Sequence, residues 1–256
     1  MSIQDGIDAA FGGEALLFVG AGFSHSALNR SGKLLPDGLK LAQHLLAKCG
    51  LSEQADLTLA SQFFQDKFGS SALIKEVKEL FTVDEVQPSH ITVCNVPWKR
   101  LYTTNYDNVV ETAYASHKKK LRSLTSKDSP YSVPKQSPFC LHINGYAITA
   151  DERSLTADLK LTSTSYCTQS FQQSPWCEYF KSDIRLASAV FFVGYSLADL
   201  DVSRILFEYG ELASKCFFIT SEKTRETSRA VLSKFGAVHS IGLDAFARLV
   251  EERRSL

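Results

Sequence analysis

The sequence predicts an α/β fold built around an open parallel sheet, and two patterns carry this prediction. Short apolar runs with the length of a buried strand recur along the chain, and helical patterns fill the intervals between them. Runs that are apolar on both sides are typical of parallel strands covered by helices on both faces. Because strand and helix alternate, we expect a Rossmann-like open parallel sheet with helices on both faces.

Hydrophobic periodicity places the individual elements. The apolar runs predict strands at Ala15–Val19, Trp98–Thr104, Phe139–Ile143, Ala189–Val193 and Cys216–Thr220. Apolar residues at helical spacing predict helices at Leu39–Cys49, Ala55–Phe68, Ala72–Phe81, Asp107–His117, Phe180–Ala187, Ser203–Ala213, Thr224–Phe235 and Leu243–Arg253. No strand is predicted between about 36 and 90, so we expect a small inserted helical lobe there. The proline-containing segment at about 123–138 predicts a long loop, and such loops are often functional.

The length of 256 residues is ample for one sizeable core. We therefore predict a single domain over residues 1–256. The final residues, EERRSL, stop within a helical pattern without a terminating glycine or proline. That ending fits a domain cut from a longer chain, and it fits a frayed natural terminus equally well.

Composition argues against several classes of protein. The 28 basic and 28 acidic side chains give no net charge, whereas a dedicated nucleic-acid-binding protein usually needs a basic face. The apolar run Ala15–Phe23 is too short to span a membrane, and no signal peptide is visible. The 6 cysteines lack the CxxC spacing of a structural zinc site. We expect a cytoplasmic protein with reduced thiols and no bound metal.

Glycine or polar residues directly follow the first two predicted strands. Gly20-Ala21-Gly22-Phe23-Ser24 follows the first strand, and glycines there let the backbone approach a phosphate. The alternative is a tight structural turn, because the third glycine of the GxGxxG pattern is missing. Asn105 and Asp107 follow the second strand, where they would either border a ligand cleft or cap a helix.

Two further motifs lie at the ends of later strands. A single histidine such as His142 is more often a satisfied buried residue than a catalyst, but a strand end at a cleft suits a general base. Gly194 would allow close approach of a ligand, and Ser196 could bond a ribose or a phosphate. The alternative is a helix start capped by Asp199 or Asp201. In an open parallel sheet all four motifs would converge on one crevice.

The motifs in combination resemble those of the sirtuin superfamily. They are GAGFS at 20–24, TTNYD at 103–107, LHINGY at 141–146, LKLTSTSY at 159–166 and GYSLADLD at 194–201. Their order and spacing are most similar to the bacterial sirtuin-like NAD hydrolases of antiphage defence. The set is specific, although no single member of it is.

The resemblance implies a role for each matching position. Asn105 corresponds to the asparagine that positions the nicotinamide ribose and a water molecule. Asp107 corresponds to the acid of the same motif, and His142 to the catalytic histidine. The residues assigned to NAD binding are Gly20, Ala21, Gly22, Ser24, Thr104, Gly194 and Ser196.

The sequence also departs from the pattern of sirtuin deacylases. Those enzymes carry paired zinc cysteines, which are absent here. They also place glycine directly after the histidine, whereas Ile143 and Asn144 intervene here before Gly145. Both departures count against an acyl-lysine channel.

The resemblance therefore implies an NAD glycohydrolase that cleaves the nicotinamide–ribose bond, yielding nicotinamide and ADP-ribose or its cyclic form. It implies NAD as substrate, and an effector that depletes NAD during abortive infection. It also implies a homo-oligomer regulated by a partner such as a hexameric ATPase or a C-terminal sensor domain. The alternatives are an NAD-dependent protein deacylase and a regulatory module that binds NAD or ADP-ribose without catalysis.

Overall fold

The computed structural model describes residues 1–133, 137–168 and 171–255. Its strands are β1 (Ala15–Val19), β2 (Leu28–Asn29), β3 (Val83–Glu85), β4 (Arg100–Thr103), β5 (Arg122–Thr125), β6 (Phe139–His142), β7 (Ala189–Val193), β8 (Cys216–Ile219) and β9 (Ala237–His239). Its α-helices are α1 (Ile3–Phe11), α2 (Ala21–Ser24), α3 (Gly38–Lys48), α4 (Leu57–Phe68), α5 (Ser70–Phe81), α6 (Pro88–Cys94), α7 (Val109–Ala115), α8 (Ser154–Ala157), α9 (Ser163–Thr168), α10 (Pro175–Leu186), α11 (Leu200–Glu208), α12 (Glu226–Leu232) and α13 (Gly242–Arg254).

Seven strands form the main sheet, in the order β5-β6-β4-β1-β7-β8-β9. Every neighbouring pair in it is parallel. The predicted Rossmann-like α/β fold is confirmed. The chain builds the sheet on one side of β1 through β6 and then crosses to the other side for β7. The sheet therefore has a topological switch point at β1, where ligands of open α/β proteins bind.

The central strands are buried on both faces, which explains their continuous apolar sequences. Successive residues of a strand point to opposite faces, so Leu17 and Phe191 join one core while Phe18 and Phe192 join the other. Helices α1, α6 and α13 contribute to the first core, and α10 and α11 to the second. The two layers hold the carboxyl ends of β1, β4, β6 and β7 at one edge.

Helices α3, α4 and α5 occupy most of the segment predicted as a helical lobe. The expectation that this segment contains no strand is wrong. The strand β3 pairs antiparallel with β2 after α5, and α6 then returns to the main sheet. Both strands are very short and partly exposed, so they lack the apolar run that would have predicted them.

The outer strands of the main sheet, β5 and β9, are also absent from the prediction. Edge strands in natural proteins are often short and polar, and both of these include exposed residues. The predicted loop at about 123–138 therefore begins within β5 and continues through a short 3₁₀ turn, Pro130–Ser132. Residues 134–136 of that prediction lie outside the described part of the chain.

None of the helices in the described ranges is long and apolar enough to cross a membrane. All six cysteines are free thiols, and five of them are buried, with Cys167 exposed. Buried cysteines of this kind pack as small hydrophobic residues.

Candidate functional site

A cavity of about 200 Å³ opens at the switch point of the sheet. Residues that follow β1, β4, β6 and β7 form its polar floor, namely Ala21, Ser24, Thr104, Asn105, Tyr106, Asp107, Asn144, Tyr195, Ser196, Ala198 and Asp199. The helical lobe and the segment leading to it add an apolar wall of Leu35, Pro36, Leu41, Leu57 and Phe81, with Gly38 beside them. Tyr166 completes the lining. The predicted convergence of four strand-end motifs on one crevice is therefore present.

Beside this cavity, the turns after β1 and β7 pack backbone against backbone. The Gly22 amide donates a 2.9 Å hydrogen bond to the Gly194 carbonyl. Gly194 has a φ of +64°, and a Cβ atom there would lie 2.1 Å from the Phe23 nitrogen. This conformation and this contact both require glycine. The alternative interpretation of these glycines as a tight structural turn thus accounts for their packing, while phosphate binding stays a prediction.

A second cavity, of about 520 Å³, lies on the other side of this glycine contact, beyond the ends of β7 and β8. Its lining includes Gly22, Gly194, Thr220, Lys223 and Asp244. The lining combines apolar residues such as Val193 and Leu243 with polar ones, and it includes one lysine among the described residues. Ala21 and Tyr195, the sequence neighbours of these two glycines, line the first cavity, so the two cavities border the same pair of turns.

Asn105 is held in one orientation by its neighbours. Its side-chain Nδ2 donates to the Gly20 carbonyl at 2.9 Å and to the Ser24 hydroxyl at 3.0 Å. Because both amide hydrogens are used, Oδ1 is left to accept, and no described residue donates to it. Asn105 is 8% exposed and lines the first cavity, so this oxygen is placed to accept from a ligand hydroxyl or a water molecule.

Asp107 is a buried carboxyl group beside Asn105. Burial raises its pKa from 3.8 to about 6, against the opposing effect of bonds from the Val109 amide and the Ser24 hydroxyl. The bond to Val109 also satisfies an amide at the start of α7, so the capping interpretation is part of its role. A carboxyl group with a pKa near neutrality in a cavity is suited to proton transfer.

His142 does not line the cavity. It is fully buried, with Nδ1 3.0 Å from the Asn105 carbonyl and Nε2 2.9 Å from Glu111 Oε1. Burial lowers the pKa of His142, but the Glu111 carboxylate and the Asn105 carbonyl outweigh it and raise the net pKa. A carbonyl and a carboxylate can only accept, so the ring is held as a doubly protonated imidazolium. In this arrangement His142 positions the backbone of Asn105 and has no free nitrogen to act as a base.

Cys140 lies close to the His142–Glu111 pair. Its sulfur and the ligand atoms of Glu111 and His142 lie within 4.8 Å of one another, which is compatible with a metal site on distance alone. Burial raises the pKa of Cys140 well above its ordinary value, so its thiol is protonated. The His142–Glu111 hydrogen bond uses His142 Nε2 and Glu111 Oε1, and a protonated thiol is a poor ligand.

Sequence reasoning missed Asn144 and Asp199 as a pair. Asn144 Nδ2 donates to Asp199 Oδ2 at 2.9 Å, and both residues line the cavity. Asp199 also caps α11 by accepting from the amides of Asp201 and Val202, as the capping alternative predicted. A signal for Asn144 was present in the sequence: sirtuin deacylases place a glycine directly after their histidine, and here Asn144, not the assigned His142, directly precedes Gly145.

The predicted binding residues divide between the two cavities. Ala21, Ser24, Thr104 and Ser196 line the first cavity, with the predicted catalytic residues Asn105 and Asp107. Gly22 and Gly194 line the second. Gly20 lines neither, because it packs against the Gly194 backbone.

Comparison with known proteins agrees with this architecture. A family model described as the SIR2-like domain matches residues 99–238, which is more than half of the chain. The chain therefore belongs to the SIR2-like domain family. This confirms the resemblance at the level of the sirtuin superfamily. No curated protein sequence matches the chain.

Solved structures of Sir2 proteins share the fold along the whole chain. A structure from work on the mechanism and regulation of Sir2 enzymes has a TM-score of 0.53 at 15% identity, with 100% of both chains covered. A Sir2 histidine-to-alanine variant with a deacetylated p53 peptide and 3'-O-acetyl ADP-ribose has a TM-score of 0.55 at 12% identity, with 98% of both chains covered. A triple mutant of a Sir2 homologue with 2'-O-acetyl ADP-ribose has a TM-score of 0.55 at 13% identity, covering 100% of this chain and 97% of the other.

Proposed function

We propose that the protein is an NAD glycohydrolase, which cleaves the nicotinamide–ribose bond and releases nicotinamide and ADP-ribose. The observation that carries this proposal is Asn105, whose amide is fixed so that Oδ1 accepts at the floor of the switch-point cavity. Family membership supports NAD as the substrate, since the related structures named above hold acetylated ADP-ribose.

The two cavities support a dinucleotide as the ligand. We place the nicotinamide riboside half in the first cavity, where the apolar wall suits a flat ring and the polar floor suits a sugar. The adenosine half then lies in the second cavity. The pyrophosphate then lies beside the two glycine turns, in keeping with the phosphate-binding role predicted for them.

The leaving group needs little catalytic assistance from the protein. Nicotinamide departs as a neutral ring, so the protein must stabilise a cationic sugar and place a nucleophile. Asn105 Oδ1 orients a water molecule or a ribose hydroxyl by accepting its hydrogen. Asp107, which also lines the cavity, accepts the proton that this nucleophile loses as it bonds to the ribose carbon, and Ser24 holds both side chains in place by bonding to Asn105 and Asp107. The His142 imidazolium contributes by holding the Asn105 carbonyl in place.

A second candidate function is a module that binds NAD or ADP-ribose without cleaving it. One observation favours it, because no histidine is found among the residues that line the first cavity in the described chain. Both functions share the ligand and differ only in turnover, so one assay separates them.

The test is incubation of the purified chain with NAD, with and without an acetyl-lysine peptide, followed by chromatography of the products. A glycohydrolase releases nicotinamide without peptide, and Asn105→Ala lowers the rate by about 100-fold or more. Asn95→Ala, outside both cavities, is the control. NAD binding by calorimetry without any release would support the binding module. Release that requires the peptide would instead support a deacylase.

The resemblance also supports a cellular role, which we propose as NAD depletion in antiphage defence. In this role the chain acts in the cytoplasm as a homo-oligomer controlled by a partner, such as a hexameric ATPase or a sensor domain. Cellular NAD measured after phage infection tests it. A fall in NAD is expected with the natural chain and its neighbouring genes, and no fall with Asn105→Ala in the same background.

A further inference from the structure

The floor of the first cavity contains a polar atom without a partner. Asn144 is 6% exposed, and its Oδ1 is buried with no hydrogen-bond partner. A buried acceptor without a donor is energetically unfavourable, so an unpaired atom on a side chain that lines a cavity points to a ligand.

The orientation of the Asn144 amide follows from its neighbour. Asp199 Oδ2 can only accept, so it binds the Asn144 Nδ2 group, at 2.9 Å. Turning the amide over would bring its oxygen against the carboxylate, which is repulsive. Asp199 is itself fixed, because its other oxygen accepts from two amides at the start of α11. Oδ1 is thereby left as the unpaired atom.

The backbone around Asn144 is equally constrained. The Asn144 carbonyl accepts from the Lys160 amide at 3.0 Å. The next residue, Gly145, has a φ of +98°, and a Cβ atom there would lie 2.6 Å from the Leu159 Cα atom. The backbone of Asn144 is therefore held in place, its amide is held by Asp199, and the cavity that Asn144 lines is where a ligand could supply the donor.

We propose that Asn144, oriented by Asp199, accepts a hydrogen bond from a hydroxyl of the nicotinamide ribose and is a determinant of ligand specificity. This inference rests on the proposed function, and it assigns recognition of the nicotinamide ribose of NAD to the Asn144 side chain. A hydroxyl is the donor because Asn144 belongs to the polar floor, whereas the flat ring fits the apolar wall of the helical lobe. Asn144 makes the contact, and Asp199 is a positioning residue.

The test compares ADP-ribose with analogues that lack either the 2-hydroxyl or the 3-hydroxyl of its terminal ribose, by isothermal titration calorimetry on the full chain. The natural chain is expected to bind at least one analogue about 10-fold more weakly, as for one lost hydrogen bond. Asn144→Ala is expected to bind ADP-ribose about 10-fold more weakly and to bind that analogue equally well. A purely structural defect would weaken both ligands together and leave their ratio unchanged.

Asp199→Asn tests the positioning role. Asparagine caps helices as well as aspartate does, so α11 is retained. The side-chain amide introduced at this position can donate to Asn144 Oδ1. This oxygen then has a partner without the ligand, so the difference in affinity between ADP-ribose and the analogue is expected to shrink. Asn95→Ala, at the C-terminal end of α6 and outside both cavities, is the matched control.

Three results would overturn the inference, and they differ in what else they affect. If Asn144→Ala keeps the full discrimination of the natural chain, the inference is wrong and the proposed function is untouched. If nicotinamide alone binds and its affinity depends on Asn144, the donor is the carboxamide and the ribose assignment is wrong. If the natural chain binds neither NAD nor ADP-ribose, the proposed function fails and this inference fails with it.

Discussion

At the scale of single residues, two neighbours on one strand end have opposite surroundings. His142 is enclosed between the Asn105 carbonyl and Glu111, whereas Asn144 lines the cavity and has a buried oxygen without a partner. The sequence prediction gave the catalytic role to the histidine, because imidazole is the usual base near neutral pH. Its partner Glu111 lies on α7, 31 positions away, and periodicity cannot reveal that contact.

Asp107 makes the free energy of unfolding depend on pH, in a direction that follows from its raised pKa. Burial raises its pKa from 3.8 to about 6, so between these values the folded protein holds a proton that the unfolded chain releases. Its contribution to the free energy of unfolding is complete below about pH 4 and is lost as the pH rises through 6. We expect a loss of about 3 kcal/mol at most across this range.

Urea denaturation between pH 4 and 8 measures this effect. In Asp107→Asn the free energy of unfolding is expected to fall less steeply as the pH rises, because an asparagine side chain does not ionise. Asp56→Asn is the control, since bonds from Thr58 and Leu59 lower the pKa of Asp56 and its contribution is lost as the pH falls. An unchanged decline in Asp107→Asn would contradict the assignment.

At the scale of elements, the turns after β1 and β7 are fixed by the contact between them. The Gly194 position has a positive φ and no room for a Cβ atom, because the Phe23 amide lies against it. The same turn carries Tyr195 and Ser196 into the first cavity. The strands thus position the site through their turns rather than through their own side chains.

Gly194→Ala is therefore expected to lower the free energy of unfolding by about 3 kcal/mol or more, through backbone strain and displacement of the neighbouring turn. Gly210→Ala is the matched control, because nothing lies within 4 Å of a Cβ atom there. Chemical denaturation of both variants measures the difference. Equal stabilities would show that the two turns are not packed as described.

At the scale of the whole molecule, the sheet topology brings two cavities to one edge. The switch point at β1 opens the first cavity, and the ends of β7 and β8 border the second. Residues of the turns after β1 and β7 line both cavities. A ligand that occupies both cavities ties together elements from both halves of the sheet.

ADP-ribose is therefore expected to raise the Tm more than AMP or nicotinamide does at equal concentration. At 100 times its Kd a ligand stabilises the fold by about 2.7 kcal/mol, which corresponds to roughly 5–10 °C for a chain of this size. Differential scanning fluorimetry measures the shifts. Equal shifts for AMP and ADP-ribose would indicate that the first cavity takes no part in binding.

The sequence by itself determined the central part of the fold. The boundaries of β1 and β7 agree with the predicted strands, since their apolar runs and the glycines after them are local signals. The edge strands β5 and β9 carried no such signal, because half-exposed strands are recognised only by pairing with a neighbour.

Only the tertiary structure decided which side chains face the cavity. The motifs at 20–24, 103–107, 141–146 and 194–201 were visible in the sequence, and parallel strands necessarily bring their carboxyl ends together. Whether His142 or Asn144 reaches a ligand depends on Glu111 and Asp199, which approach from α7 and from the turn before α11. Hydrogen bonds between residues distant in sequence decide this orientation, and local sequence patterns do not predict such bonds.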